Sequence, residues 1–276
     1  MFQTSYIELS EGAVKNNIEF IQSLLGKGVT FSSVVKGNAY GHSINYYCPL
    51  AYKYGIRHFS VFSTQEAFNV TTALSNKKFT LLIMGAIDSN ELVWAIENGV
   101  HFYVFEFERL ESTINIAKKL GIKANIHIEL ETGMNRTGFG SKVIDGAINI
   151  IKANLAYLNI KGFCTHLAGA EDIANHERIT DQYNCFINSQ NKIKELDWMK
   201  PKWHIAISAA TIRYPNMQMD MSRIGILQYG FFPTQETLVH YLAENSNNTN
   251  PLQRIITWKT RVMDIKTVKA GEFVGY

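Results

Sequence analysis

The stretch Val34–His42, V-V-K-G-N-A-Y-G-H, decides how the rest of this 276-residue chain is read. An apolar run of β-forming residues, Phe31 to Val35, ends in Lys36, and glycines bracket the turn that follows. One amine is thereby placed at the C-terminal end of a strand, beside a flexible backbone. A lysine there is either a solvated strand end or a nucleophile, and position alone leaves both open.

Outward from this strand, strand and helix patterns alternate. Ser10 can cap a helix carrying Val14, Ile18, Ile21 and Leu25, with Gly26 ending it at positive φ. After Phe31–Val35 come strand patterns at His58–Phe62, Phe79–Met84, His101–Phe105, Asn125–Leu130, Asn159–Cys164 and Trp203–Ile207. Met217, Met219 and Met221 alternate with polar residues and give a last strand leading into Arg223. Helical spacing fills the gaps at Gln65–Leu74, Ser89–Asn98, Leu110–Ala117, Lys142–Ala153 and Glu177–Leu196. Glycines at 99 and 121 can stop two of these helices. Strands alternating with helices predict a parallel sheet, and eight such units predict a closed (β/α)8 barrel over residues 10–240. An open doubly wound sheet is the structural alternative.

The pattern changes after Pro233. A helical piece, Thr234–Leu242, leads into the polar loop N-S-N-N-T-N-P, and Ile255–Tyr276 reads as strands without a helix. Residues 241–276, with 1–9, therefore read as the start of a β-rich second domain. The sequence stops at G-E-F-V-G-Y, which reads as a chain cut inside that domain or as an unusually short form.

A hydrophobic fraction of 46% with 18% charged residues fits a globular chain with a sizeable core. A net charge of +3 without a dense basic stretch argues against a nucleic-acid partner. No apolar run approaches membrane-spanning length, so no membrane association is expected. The three cysteines (Cys48, Cys164, Cys185) have no metal-ligand spacing, and their odd number argues against a disulfide framework. With no signal-peptide pattern at M-F-Q-T-S-Y-I-E-L-S, the expected location is the cytoplasm, and no metal is expected.

Several polar residues fall just past the predicted strand ends. They are Lys36, Arg136 in E-T-G-M-N-R-T-G-F, His166 in C-T-H-L-A-G-A-E-D, Ser208 in I-S-A-A, and Arg223. Each alone has a bland reading, as a surface charge, a structural histidine or a helix cap. In a barrel, however, all of them converge on one face. A lysine there can react with an aldehyde cofactor. Backbone N–H groups and hydroxyls at Ser208, Gly225 and Ile226, with the hydroxyl of Tyr40, can take a phosphate. Arg136 can hold a carboxylate with paired hydrogen bonds.

These motifs resemble those of the alanine racemases, the TIM-barrel class of pyridoxal-phosphate enzymes, along nearly the whole chain. K-G-N-A-Y-G-H is similar to the segment whose lysine is joined to the cofactor. E-T-G-M-N-R-T-G-F resembles the segment of the substrate-orienting arginine, and T-H-L-A that of a histidine packed by the cofactor ring. S-R-I-G-I-L-Q-Y-G resembles the segment whose arginine meets the pyridine nitrogen. K-A-G-E-F-V-G-Y resembles the strand bearing a second catalytic base, a tyrosine. The resemblance implies that Lys36 and Tyr276 are the two catalytic bases. It implies pyridoxal 5'-phosphate as cofactor and a small amino acid, alanine first, as substrate. It also implies a homodimer in which Tyr276 serves the partner's site. An arginine at the pyridine nitrogen favours racemisation over decarboxylation, since it cannot accept that nitrogen's proton. One position departs: many relatives carry a carbamate-modified lysine where this chain has Glu129. That leaves serine or a longer amino acid open as substrate. A non-catalytic cofactor-binding barrel is the rival from another class. If the chain is cut, the 276-residue form is expected to bind cofactor but racemise poorly.

Overall fold

The computed structural model describes residues 4–194, 200–245 and 249–276. Strand β1 (Ser5–Leu9) is followed by helix α1 (Glu11–Leu24), whose first turn is closed by Ser10 Oγ accepting from the Ala13 N–H at 3.2 Å. Then β2 (Thr30–Val34) leads through α2 (Lys36–Tyr40) and α3 (Ile44–Lys53) to β3 (His58–Val61). The chain continues as α4 (Thr64–Ala73), β4 (Thr80–Ile83), α5 (Ser89–Glu97), β5 (His101–Val104), α6 (Phe107–Leu120), β6 (Ala124–Glu129), α7 (Ile144–Ala153) and β7 (Leu158–Cys164). It ends with α8 (His176–Lys194), β8 (Lys202–His204), α9 (Ser208–Arg213), β9 (Met221–Ile224), α10 (Gln235–Glu244) and β10 (Ile256–Thr260).

Strands β2 to β9 form one parallel eight-stranded sheet in sequence order, with β9 returning to β2. The ring closes through a bridge between Ile207 and Arg223 and through the Arg223 N–H donating to Ala206 O at 3.0 Å. This is a (β/α)8 barrel. Alternation along the strands sorts its residues. Phe59, Leu81, Ile83, Phe102, Ile126, Ile128, Phe163 and Trp203 face outward and pack against the helices. Leu82, Tyr103, Cys164 and Met221 form a separate apolar cluster inside, with Met84 and Phe105 above it. The two faces are both buried, which is why these strands read as near-continuous apolar runs.

Several local expectations differ from the structure. Gly26 is not the positive-φ residue after α1; that residue is Gly28. The Gly26 N–H instead donates to Gln218 Oε1 at 2.8 Å, so a long-range side chain ends the helix. The seventh barrel strand stops at His204, and beyond it the segment pairs with β9 through an isolated bridge at Ile207. Met217 and Met219 lie before β9, Met217 in a 3-10 turn begun by Pro215, so their alternation is not a strand's. Glu195 and Leu196, at the expected end of α8, lie outside the described residues. Beyond β10, which pairs antiparallel with β1, Arg261–Tyr276 contains no strand. Its β-like pattern leaves Val262, Met263, Ile265 and Phe273 exposed, because the described residues offer it no strand to pair with.

Candidate active site

At the C-terminal mouth of the barrel lies a cavity of about 520 Å³, a size suited to a small ligand. Its wall is built from residues at or just past successive strand ends: Lys36, Phe62, Met84, Phe105, Glu129, Thr165, Ile207 and Gly225. Arg136, His166, Tyr40, Ser208, Arg223 and Ile226 line it too. All the residues expected at a barrel mouth are thus brought together. Tyr276 is not among them; it is fully exposed near the end of the described chain.

Lys36 opens an unusual turn. Gly37, Asn38, Ala39 and Tyr40 all sit in the left-handed region, with φ of 61°, 52°, 57° and 53°. A run of such residues is rare, since each non-glycine one costs about 1–2 kcal/mol. The turn is held from several sides. Glu66 on α4 accepts from the Gly37 N–H at 2.6 Å and from the Phe62 N–H at 2.9 Å, one oxygen each. Asn38 Oδ1 accepts from the Ile44 N–H at 2.9 Å, and Ala39 is fully buried. Beneath it, the Val34 carbonyl accepts from Gln228 Nε2 at 2.8 Å and from the Tyr229 hydroxyl at 3.0 Å. The Tyr229 ring in turn stacks on His42 at 4.5 Å. Backbone strain so heavily constrained points to a functional position. The result is a lysine whose backbone is fixed at the cavity wall and whose amine has no carboxylate paired to it among the described residues.

At one end of the cavity, Ser208 Oγ accepts from the Gly225 N–H at 2.9 Å, and the Tyr40 hydroxyl leans over Gly225. A Cβ at Gly225 would lie 2.5 Å from that hydroxyl oxygen. Two hydroxyls and a bare backbone therefore meet at one point, a set suited to phosphate oxygens. Burial raises the Tyr40 pKa, so the hydroxyl keeps its proton and can donate.

Arg223, 4% exposed, rises through the barrel centre. Its Nη1 donates to His204 Nδ1 at 2.5 Å and to His204 O at 3.1 Å; its Nη2 donates to Thr165 O at 2.8 Å and Ile205 O at 3.3 Å. The terminal N–H groups are thus engaged, which leaves Nε–H for the cavity. His166 faces the same space. Burial first, then Arg223, Arg136 and Lys36, pushes its pKa down to about 3, so the ring is neutral.

Arg136 stands on the loop after β6. Glu131 organises that loop by accepting from the N–H of Gly133 and, at 3.3 Å, of Arg136. Burial alone would raise the Glu131 pKa, but these backbone donors outweigh it and hold the carboxylate ionised. Glu129, 4% exposed, accepts from the Thr137 hydroxyl at 2.7 Å. Burial raises its pKa, opposed by Thr137 and by the charges of Arg223 and Arg136. It is a carboxylate beside the arginine, carried by an unmodified side chain.

Glu66, Gln228 and Thr137 were not foreseen. Their partners lie on other strands or turns, and nothing in their local spacing marks them. Among the described residues no cluster of His, Cys, Asp and Glu could hold a metal, and no helix is long and apolar enough to cross a membrane.

Comparison with known proteins agrees with this geometry. The sequence profile described as "Alanine racemase, N-terminal domain" matches residues 9–233. An alanine racemase of Leptospira interrogans is 30% identical over 273 residues, covering 99% of this chain and 68% of that protein. One of Methanococcus maripaludis is 29% identical over 273 residues, covering 98% and 70%. The solved alanine racemase of Clostridium difficile 630 superposes with a TM-score of 0.88 at 24% identity, covering all of this chain and 69% of that one. The alanine racemase of Bacillus anthracis, solved with bound L-Ala-P, gives 0.85 at 27% identity over 100% and 69%. A barrel whose strand ends gather this lysine, these two arginines and this hydroxyl pair, matched by that profile over most of its length, belongs to the alanine racemase family.

Proposed function

We propose that this protein is a pyridoxal-phosphate-dependent alanine racemase. In this reading residues 10–240 form the cofactor-binding barrel, and residues 241–276 with 1–9 belong to a β-rich second domain. The observation that carries it is the convergence of Lys36, Arg223 and the Tyr40–Ser208–Gly225 cradle on one cavity. A Cβ would fill that cradle, and the residues around it match the chemistry of the cofactor: an amine for its aldehyde, donors for its phosphate, a guanidinium for its ring nitrogen.

When bound, pyridoxal phosphate supplies an aldehyde that joins an amine and a conjugated ring that draws electrons away from Cα. The rest is the work of this chain. Lys36 would hold the cofactor through its amine and, with that amine free, would move a proton at Cα on one face. Tyr276, provided by the partner of a homodimer, exchanges a proton on the other face. Tyr40 and Ser208 donate to the phosphate beside the backbone of Gly225 and Ile226. Arg223 offers Nε–H to the pyridine nitrogen and, being permanently cationic, keeps a proton off it. That weakens the electron sink, which suits proton exchange and disfavours decarboxylation. The neutral ring of His166, which lines the same cavity, would pack by the cofactor ring. Arg136 orients the substrate carboxylate with Glu129 beside it. Phe62, Met84 and Phe105 supply apolar wall for a small side chain. The expected location is the cytoplasm.

Racemisation is tested with L-alanine and D-alanine separately in heavy water, following deuterium at Cα. A form extended past Tyr276, with the second domain complete, should convert both, and the 276-residue form only poorly. Tyr276→Phe should suppress wash-in from one enantiomer far more than from the other, because each base serves one face. Equal suppression would count against the two-base assignment. Release of carbon dioxide, or cofactor binding without any exchange, would favour a decarboxylase or a non-catalytic binding protein instead.

A further inference from the structure

The barrel interior carries a row of imidazoles that the reaction above does not use. His204 Nε2 lies 2.9 Å from His127 Nδ1, and His127 Nε2 lies 3.1 Å from His101 Nδ1. The row begins at Arg223 and runs toward the N-terminal end of the barrel, where His101 opens β5. His127 is 2% exposed and His204 fully buried, whereas His101 is partly open to solvent. Room for the row comes from Gly162, where a Cβ would collide with His127 Nδ1.

Hydrogen-bond chemistry fixes every proton in this row. Arginine has no acceptor, so His204 Nδ1 must accept from Nη1. A neutral His204 then carries its proton on Nε2 and donates it to His127 Nδ1. His127, accepting there, carries its own proton on Nε2 and donates to His101 Nδ1. None of the accepting nitrogens can take a proton without setting two donors face to face. Each ring therefore points its lone pair up the barrel toward the arginine.

That orientation answers a question raised by Arg223 itself. A buried cation needs compensation, and among the described residues no carboxylate pairs with it. Three backbone carbonyls and an aligned series of imidazole dipoles supply it. We propose that His101, His127 and His204 are positioning residues, a one-way ladder of neutral imidazoles that keeps the Arg223 guanidinium in place and aimed at the cavity. Burial, with Arg223 on one side and Lys161 and Lys202 on the other, disfavours imidazolium along the whole row. The other titratable groups against the row are His58, which stands beside it with no partner for Nδ1, and Tyr103, whose ring packs against His127 and His204 and whose hydroxyl side meets Cys164 and Glu129; burial raises the Tyr103 pKa, so it stays neutral.

The ladder's role toward the cofactor rests on the function proposed above, but its protonation does not. The first experiment is therefore nitrogen-15 NMR of histidine-labelled protein before any cofactor is added. Between about pH 5 and 8, where free histidine titrates, His127 and His204 should each stay neutral with the proton on Nε2. A proton on Nδ1 of either ring, or titration of either within that range, overturns the ladder. The second experiment adds pyridoxal phosphate and compares His204→Leu with His204→Gln. Glutamine keeps an acceptor for Arg223 and a donor for His127; leucine keeps neither. His204→Leu should weaken cofactor binding by on the order of 10-fold, as loss of a hydrogen bond to a charged group does, and should move the pyridine nitrogen resonance. His204→Gln should restore both. If His204→Leu lowers the melting temperature yet leaves affinity and resonance unchanged, the histidine is merely structural and the proposal falls. If the wild type binds no pyridoxal phosphate, the proposed function fails, while the ring tautomers still decide whether the ladder exists.

Discussion

Arg223 carries a structural load inside the barrel and, in the proposed function, a reaction preference as well. Its guanidinium faces three carbonyls and an imidazole lone pair inside the barrel. Arg223→Glu would aim a carboxyl at those same acceptors, which it can meet only by taking up a proton. Urea unfolding should show a loss of roughly 3 kcal/mol or more, as for other broken buried charge networks. The folded fraction should racemise alanine more slowly and divert more turnovers to amino-group transfer, because glutamate permits a proton on the pyridine nitrogen. Unchanged product ratios would mean that Arg223 does not meet that nitrogen. Glu66 is a different case, a carboxylate that does not line the cavity but holds the turn that does. Glu66→Gln turns one of its two accepting oxygens into a donor that faces the N–H of Gly37 or Phe62. The expected result is weaker cofactor binding with little change in KM for alanine at saturating cofactor, read by titration and steady-state kinetics. At this scale the sequence named Lys36, Arg136, His166, Ser208 and Arg223, which line the cavity because they follow strand ends, but it also named Tyr276, which does not line it. It could not name Glu66 or Gln228, whose partners lie 29 and 194 residues away.

At the scale of elements, the turn after Lys36 and the start of the turn after β9 are built on glycines with different jobs. Gly37 has φ 61° and open space where a Cβ would go. Gly37→Ala should therefore cost about 1 kcal/mol of stability through backbone strain alone, with cofactor affinity little changed. Gly225 has no positive φ, yet its Cβ would press on the Tyr40 hydroxyl. Gly225→Ala should instead leave stability nearly intact and weaken pyridoxal phosphate by on the order of 10-fold, through a displaced donor to a charged group. Thermal melts paired with cofactor titrations separate the two. Element type was legible from periodicity through most of the barrel, since β/α units alternate cleanly. The left-handed turn was not, because K-G-N-A-Y is also compatible with an ordinary helix. Only tertiary restraint from Glu66, Asn38 and Tyr229 makes the other conformation stable. The histidines did leave a signal in the strands: His127 sits between Ile126 and Ile128, and His204 beside Trp203. Period-two alternation puts them on the face opposite the outward core.

Across the whole molecule, a barrel filled with neutral imidazoles has a consequence for stability. Burial pushes His58 down to about 3, and burial aided by Lys161 and Lys202 pushes His101 down to about 4, from 6.5. Between those values and 6.5 the unfolded chain binds protons that the folded chain refuses, so stability falls as pH falls. The loss should begin below about pH 6.5, before ordinary carboxylates titrate, and reach up to about 1.4 kcal/mol per pH unit for each such histidine. His58, whose Nδ1 has no partner, gives the cleanest test. His58→Leu should raise the melting temperature at about pH 5 and flatten its dependence on pH. A slope equal to that of the wild type would show that His58 binds its proton in the folded state as well.

The central claim is that the cavity at the barrel mouth holds pyridoxal phosphate through Lys36. The direct measurement is borohydride reduction of the protein with bound cofactor, followed by digestion and mass spectrometry of the peptides. The pyridoxyl group should be found on Lys36, within the V-V-K-G-N-A-Y-G-H segment, and Lys36→Ala protein should carry none. A label on another lysine, or an undiminished label in Lys36→Ala, would contradict it.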